Sequence, residues 1–389
     1  MPCGRQARAT AGQLTVILMN YNNMWIIIFA LPDINLSESI GNENIAIVPH
    51  NDSRIIEITK HSSYAKALVE NFYDQFGRKK YPSLLIISDT APQYIRDIDA
   101  IVGFRNILAI STIITGHEHS LTNTFVAYPL YSDYFNFYPI TITKNDDGFL
   151  TQSPSILGFD DERRKFKGQT SPSLAGLDYI RVKRNGYLFD QLQKVWARRY
   201  LRNRSNEWST QALFRSLEMA YQASSMPFKN HSTMYDYGAS ASLWVSAFEI
   251  LSHPKTGSSN LMTVIDLIDK YDWLHKDIKR KTYVIKYAGK RRNVNLIQKL
   301  YKELYDTRNA FLHGNPVKPD RLRPFRNKKI QHITRFAPLL YKVALLSYLI
   351  QFEGKKIKAN GQKEYIQRSI NEGDLVDAFF KVKNPDARR

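Results

Sequence analysis

The 389-residue chain has one cysteine, Cys3, so neither a disulfide framework nor a cysteine-based zinc site can form within it. Such cysteine usage fits a reducing compartment. The chain is also short of acid: 36 Asp and Glu stand against 55 Lys and Arg, a formal net charge of +19. No run approaches the roughly 18 apolar residues that span a bilayer. The longest candidate, Met24 to Leu31, is too short and carries β-branched isoleucines that suit a buried strand. Leu14 to Met19 is cut off by Asn20, Asn22 and Asn23, which makes it a poor signal core, and the extreme N-terminus reads as a frayed end. We therefore expect a cytoplasmic protein with no membrane partner. The phosphate loop of Walker type, the Gly-rich dinucleotide turn and the G-x-S-x-G elbow are all missing. Asp89, Asp97 and Asp99 have no spacing that suits a metal nuclease and read as surface or capping residues.

What is present is ample material for cores. Hydrophobic residues make up 43% of the chain, with 23 Tyr and 20 Phe. The length suggests about two domains. The first half mixes strands and helices. Trp25–Ala30, Ile45–Val48, Ser83–Ser88, Thr124–Leu130 and Pro139–Thr143 are β-branched or aromatic runs bounded by turn residues. Helical spacing appears over Ser63–Phe76 and Gln93–Ile113. From Asn145 to Asp178 the pattern breaks into Ser, Pro and Gly, which reads as a long loop or an interdomain connection. Helical spacing resumes at Tyr187–Tyr200 and then dominates, over Gln211–Ser225, Ser240–Ser252, Leu261–Tyr271, Val294–His313, Ala337–Phe352 and Asp374–Phe380. The expected organisation is an α+β domain over 1–200 and an all-α helical bundle over 205–389.

Charge is concentrated in the second half. Between His275 and Arg335 there are 18 Lys and Arg against 4 Asp and Glu. Such a concentration attracts polyanions through counterion release, whereas the plainer reading is a solvated basic face. The basic insert Lys279–Asn293, a loop or short hairpin, contributes Lys290, Arg291 and Arg292. Arg321, Arg323, Arg326, Lys328 and Lys329 follow further on. All eight are candidate phosphate contacts.

The helix ending in Asp306-Thr-Arg-Asn-Ala-Phe-Leu-His-Gly314 carries the most specific signal. Leu296, Leu300 and Leu304 form an i, i+4 stripe, and Arg308 takes the next place in it. A guanidinium there must meet a carboxylate, a phosphate or several acceptors. Glu249 is the most attractive internal partner. His313 lies five residues on, about 140° around an ideal helix. Gly314 and Pro316 then stop the helix, so its last turn is expected to swing His313 toward Arg308. A histidine at such an end can transfer protons near neutral pH. His117-Glu118-His119 is a weaker motif, either a metal pair on one strand face or a surface turn. It has no third ligand, so no metal is assigned.

Arg308-Asn309-x-x-x-His313 resembles the R-x4-6-H motif of the HEPN superfamily. The Phe-Leu-His-Gly context is similar to its Apea-like branch, as is the upstream segment Leu243-Trp-Val-Ser-Ala-Phe-Glu-Ile-Leu251. In this chain Ala247 and Phe248 directly precede Glu249, a departure from that branch's spacing. The resemblance covers residues 211–380. It implies a HEPN-like bundle and a metal-independent, cofactor-free endoribonuclease with Arg308, Asn309 and His313 as catalytic residues and Glu249 in support. It also implies a homodimer that brings two motifs together on RNA, with a role in phage defence or toxin-like cleavage. The first half would then sense a phage or cellular trigger or select the target. Other members of the superfamily only bind nucleic acid or nucleotide, or act as scaffolds, and that alternative stays open. So does a third, in which the first half is the effector and the helices only dimerise.

Overall fold

A computed structural model describes residues 25–383, apart from 75, 123–128, 144, 154–155, 161–165, 168–181, 183, 203–206, 227–232 and 353–361. It has a small antiparallel sheet region followed by mostly helical structure, as an α+β half leading into a helical half. The first elements are β1 (Trp25–Leu31), β2 (Ile40–Gly41), β3 (Ile45–Val48), α1 (Ser53–His61), α2 (Ser63–Glu70), β4 (Phe72–Tyr73), β5 (Ser83–Ser88) and α3 (Ile98–Thr122). Strands β1, β5, β3 and β2 pair antiparallel in that order.

Alternation along these strands divides their side chains between two cores. Ile27, Ala30, Ala46, Val48, Leu84 and Ile86 face α1 and α2. Ile28, Leu31, Ile45, Ile47, Leu85 and Ile87 enter a second, larger core with α3. Every residue of β3 and β5 is buried, which explains why these strands read as unbroken apolar runs.

Three expectations are corrected. The helix over Ser63–Phe76 stops at Glu70, because Phe72 and Tyr73 pair in parallel with Phe166 and Lys167. The helix over Gln93–Ile113 is a 3-10 turn at Gln93–Ile95 and then α3, which runs on to Thr122. Its extra turns keep their hydroxyls satisfied within the helix: Thr115 donates to Ser111 O, Ser120 to His117 O and Thr122 to Glu118 O. The expected loop after Asn145 holds β7 (Phe149–Ser153) and β8 (Ile156–Asp160), which form a three-stranded sheet with β6 (Ile140–Ile142). The short β9 is Phe166–Lys167. Most of the strand expected at Thr124–Leu130 lies outside the described residues.

The second half begins with α4 (Gly186–Trp196), which leads into one π turn at Ala197–Leu201. It continues with α5 (Trp208–Ser224), α6 (Met234–Leu251), α7 (Leu261–Asp269), α8 (Lys276–Lys279), β10 (Tyr283–Tyr287), β11 (Lys290–Val294), α9 (Leu296–Leu312), α10 (Ile333–Phe352) and α11 (Gln362–Lys383). The basic insert is therefore a hairpin. Its turn residues Ala288 and Gly289 both have positive φ, the geometry that matches strand twist in two-residue turns. Helix α10 packs against α3, α6, α7 and α9, and α3 packs against α4, α5, α10 and α11. One core thus runs through the region near residue 200 where a domain boundary was expected. Helices α3 and α10 are long and apolar enough to cross a membrane by composition, but 83% of each apolar window is buried within the fold.

Candidate functional site

Helix α9 is anchored at its start. Asn295 Oδ1 accepts from Gln298 N and Gln298 Oε1 from Asn295 N, a reciprocal cap that satisfies two otherwise orphaned donors. Gln298 Nε2 also donates to Ile265 O, tying α9 to α7. Leu296, Leu300 and Leu304 are buried, each contributing about 1.5–3 kcal/mol. The far end closes as a Schellman motif: Asn315 N donates to Ala310 O, Gly314 N to Phe311 O, and Gly314 has φ 64°. Opposite it, Gly238 of α6 lies so close that a Cβ there would sit 2.4 Å from Phe311 Cγ.

Arg308 meets the partner its place in the stripe demanded. Nη2 lies 3.4 Å from Glu249 Oε2 of α6, and Nη1 donates to Asn309 Oδ1 at 3.0 Å. Both paired side chains keep about a fifth of their surface exposed, and Arg308 Nε has no partner. The pair is loose. Burial raises the Glu249 pKa, and Arg308 only partly offsets it. Asn309 thus holds the guanidinium within the same turn.

His313 does not swing toward Arg308. The backbone is helical through Leu312, and His313 is the C-cap, its N–H donating to Asn309 O. Its Cβ therefore stays about 140° from that of Arg308, as on an ideal helix. His313 is exposed, beside Leu312 at 59% exposure. Within one chain the two groups point to different sides of the helix end.

The basic residues sort by what they touch. Arg292 is an internal strut, with Nη1 2.6 Å from Asp266 and Nη2 3.8 Å from Asp269. Arg323 is another, donating to Ile330 O at 2.6 Å and Lys328 O at 3.0 Å. Lys290, Arg291, Arg326, Lys328 and Lys329 are exposed, and Arg321 is half-exposed. Both of these arginines are partly exposed, with donors engaged within the fold.

Sequence reasoning missed an aromatic row beside these charges. Phe325 and Arg326 have φ 55° and 54°, a left-handed conformation costly for non-glycine residues. The turn is held by Glu303 of α9, whose Oε2 accepts from Phe325 N at 2.8 Å. It presents Phe325, 39% exposed, stacked on Tyr283 of the hairpin with centroids 5.7 Å apart. Tyr287, four residues on along β10, lies beside Tyr305, and the Arg308 guanidinium sits 5.7 Å from the Tyr305 ring. The row leads from the strained turn to Arg308. Aromatics at i, i+4 in a basic strand were its only sequence trace.

His117-Glu118-His119 is not a metal pair. The motif lies inside α3, where positions i and i+2 point about 200° apart. Glu118 is buried against Lys342 Nζ at 2.6 Å. Among the described residues no group of His, Cys, Asp or Glu is arranged to hold a metal ion. Comparison with known proteins gives no match to the chain among family models, curated proteins or solved structures.

Proposed function

We propose that this protein binds single-stranded RNA along the hairpin and the strained turn, and cleaves it without metal at the end of α9. The observation that carries the reading is the row Phe325–Tyr283, Tyr287–Tyr305, Arg308, flanked by exposed Lys290, Arg291, Arg326 and Lys328. Bases stack on aromatic faces while cations follow the phosphates, which is how single strands are held without sequence readout. The resemblance of Arg308, Asn309 and His313 to the HEPN motif supports cleavage as the outcome.

In this mechanism His313 takes the proton of a ribose 2′-hydroxyl, whose oxygen attacks the adjacent phosphorus. The bond to the 5′-oxygen breaks, a proton returns to that oxygen, and a 2′,3′-cyclic phosphate remains. Arg308, oriented by Asn309 and Glu249, stabilises the charge that builds on the phosphate oxygens. Since Arg308 and His313 of one chain face different sides, a two-fold homodimer would complete the site with the second copy's groups. Leu312 and Tyr235, 59% and 80% exposed, are apolar surface that such a contact would cover.

A second reading, RNA or nucleotide binding without cleavage, is favoured by the Arg308–Glu249 pair, which gives the guanidinium an internal partner. The test is incubation of the full-length protein with total RNA and tRNA in EDTA, beside His313→Ala. Cyclic phosphate ends that vanish in the variant support the nuclease. Binding without any wild-type cleavage supports the second reading, and neither binding nor cleavage removes both.

A further inference from the structure

A small cavity, with about 30 Å³ of free space, lies where α3 meets the first turn of α10. His117 and Tyr131 of the first half line it together with Ser240, Trp244, Thr334 and Arg335 of the second. It is separate from the α9 site and does not depend on the nuclease reading.

Two side-chain atoms on its walls are buried without a hydrogen-bond partner, Thr334 Oγ1 and Arg335 Nε, while the His117 ring meets the backbone of Leu130 and Arg335. Thr334 is only 4% exposed and His117 9%. Buried polar atoms in folded proteins are nearly always paired with protein, water or ligand, so two orphans on one cavity wall call for an occupant. The charge indicates its sign. The Arg335 side chain has one hydrogen bond among the described residues, Nη2 to Ser120 Oγ at 3.4 Å, and no ion pair among them. Burial lowers the His332 pKa, and Arg323 and Arg335 together lower it further, while Asp133 acts in the opposite sense on Tyr131. A water would fit the space but would not neutralise a half-buried guanidinium; an anion would do both.

The backbone adds to this. Thr334 and Arg335 sit in the first turn of α10, a helix of 20 residues. The start of a helix carries partial positive charge, here with the Arg335 N–H already donating to His332 O at 2.9 Å. A phosphate group suits a helix start, an arginine fork and a threonine hydroxyl together.

We propose that this cavity is an anion-binding site that takes a phosphate group, with Arg335 and Thr334 as its side-chain donors and His117 in its wall. The phosphate is either free orthophosphate or that of a small ester such as a mononucleotide. Because the walls come from both halves, an occupant bridges α3 and α10.

Isothermal titration of the full-length protein with orthophosphate, 5′-AMP and adenosine tests the site. One equivalent of orthophosphate, of 5′-AMP or of both should bind, and adenosine should not. The melting temperature should rise with ligand concentration, as it does for any ligand selective for the native state. Arg335→Met and Thr334→Val should each weaken binding about tenfold or more, the scale of one lost charge-assisted bond. Binding of both ligands assigns the free anion, and binding of 5′-AMP alone assigns the ester. The proposal is overturned if neither ligand binds at millimolar concentration, or if binding survives both cavity variants unchanged. Should Arg335→Met fail to fold, the near-isosteric Thr334→Val decides alone.

Discussion

Lys342 Nζ donates to Glu118 Oε1 at 2.6 Å with both side chains buried, joining α10 of the second half to α3 of the first. Burial raises the Glu118 pKa, and Lys342 works against that rise. Such a pair contributes little net stability while intact, but removing one partner strands the other charge. Lys342→Met should therefore destabilise the protein by about 3–5 kcal/mol in guanidinium unfolding. Lys342→Met with Glu118→Leu should recover most of that loss. A single variant as stable as wild type would show that the pair is hydrated.

The close approach of α6 and α9 predicts a steric effect at Gly238. An added Cβ meets the Phe311 ring at 2.4 and 2.5 Å, inside any normal contact. Gly238→Ala should cost about 1–3 kcal/mol through overpacking, more than the gain from alanine's helix propensity. Adding Phe311→Ala should relieve the clash, so the double variant should lose less than the sum of the two single variants. Strict additivity would indicate that the helices separate freely there.

His117 should give the protein an acid-sensitive limb. Burial, then Arg335, hold its imidazole down from 6.5 to about 3. Between those values the unfolded chain binds the extra proton. The contribution to stability is thus fully present above about pH 6.5 and is lost as pH falls toward about 3. At about 1.4 kcal/mol per pKa unit, the loss amounts to a few kcal/mol. His117→Gln should flatten the curve of stability against pH in that window. An unchanged slope would mean that other groups carry the acid limb.

The aromatic row and the basic face should separate by salt. Neutralising Lys290, Arg291, Arg326 and Lys328 together should weaken RNA binding and reduce the salt slope, since fewer counterions are released. Phe325→Ala should weaken binding by about 1–3 kcal/mol with the salt slope preserved, as expected for lost stacking. Arg292→Ala should instead act on stability, through Asp266 and Asp269. If affinity and slope stay unchanged in the first variant, those charges are only a solvated face.

The catalytic reading gives one kinetic expectation. His313→Ala and Arg308→Ala should each lower RNA cleavage by on the order of 10²-fold or more. Glu249→Gln should have a smaller effect, because it orients Arg308 without touching the substrate. Mixed dimers of Arg308→Ala and His313→Ala chains distinguish a shared site from two separate ones. Recovery in the mixture requires a site built across two copies, and additive loss denies it.

Much of this organisation is legible in the residues themselves. Unbroken apolar runs mark Ile45–Val48 and Ser83–Ser88 because both faces of those strands are covered. Gly314 and Pro316 stop α9, and the stripe Leu296, Leu300, Leu304 identifies Arg308 as a group that needs a partner, met by Glu249. These are local properties of period, backbone freedom and burial, carried by neighbours within a few positions of one another. Tertiary packing decided the rest. Whether Phe72–Tyr73 continues a helix or pairs with Phe166–Lys167 depends on residues almost a hundred positions away. His117-Glu118-His119 has the spacing of a strand pair, yet it lies inside α3, where Lys342 from α10 supplies the buried counter-charge to Glu118. Arg292 and Arg323 look like their neighbours in the chain, but Asp266, Asp269 and two backbone carbonyls engage their guanidinium groups. The stacking of Phe325 on Tyr283 joins groups 42 positions apart through a strained turn, because the hairpin and the loop after α9 close on the same face of that helix.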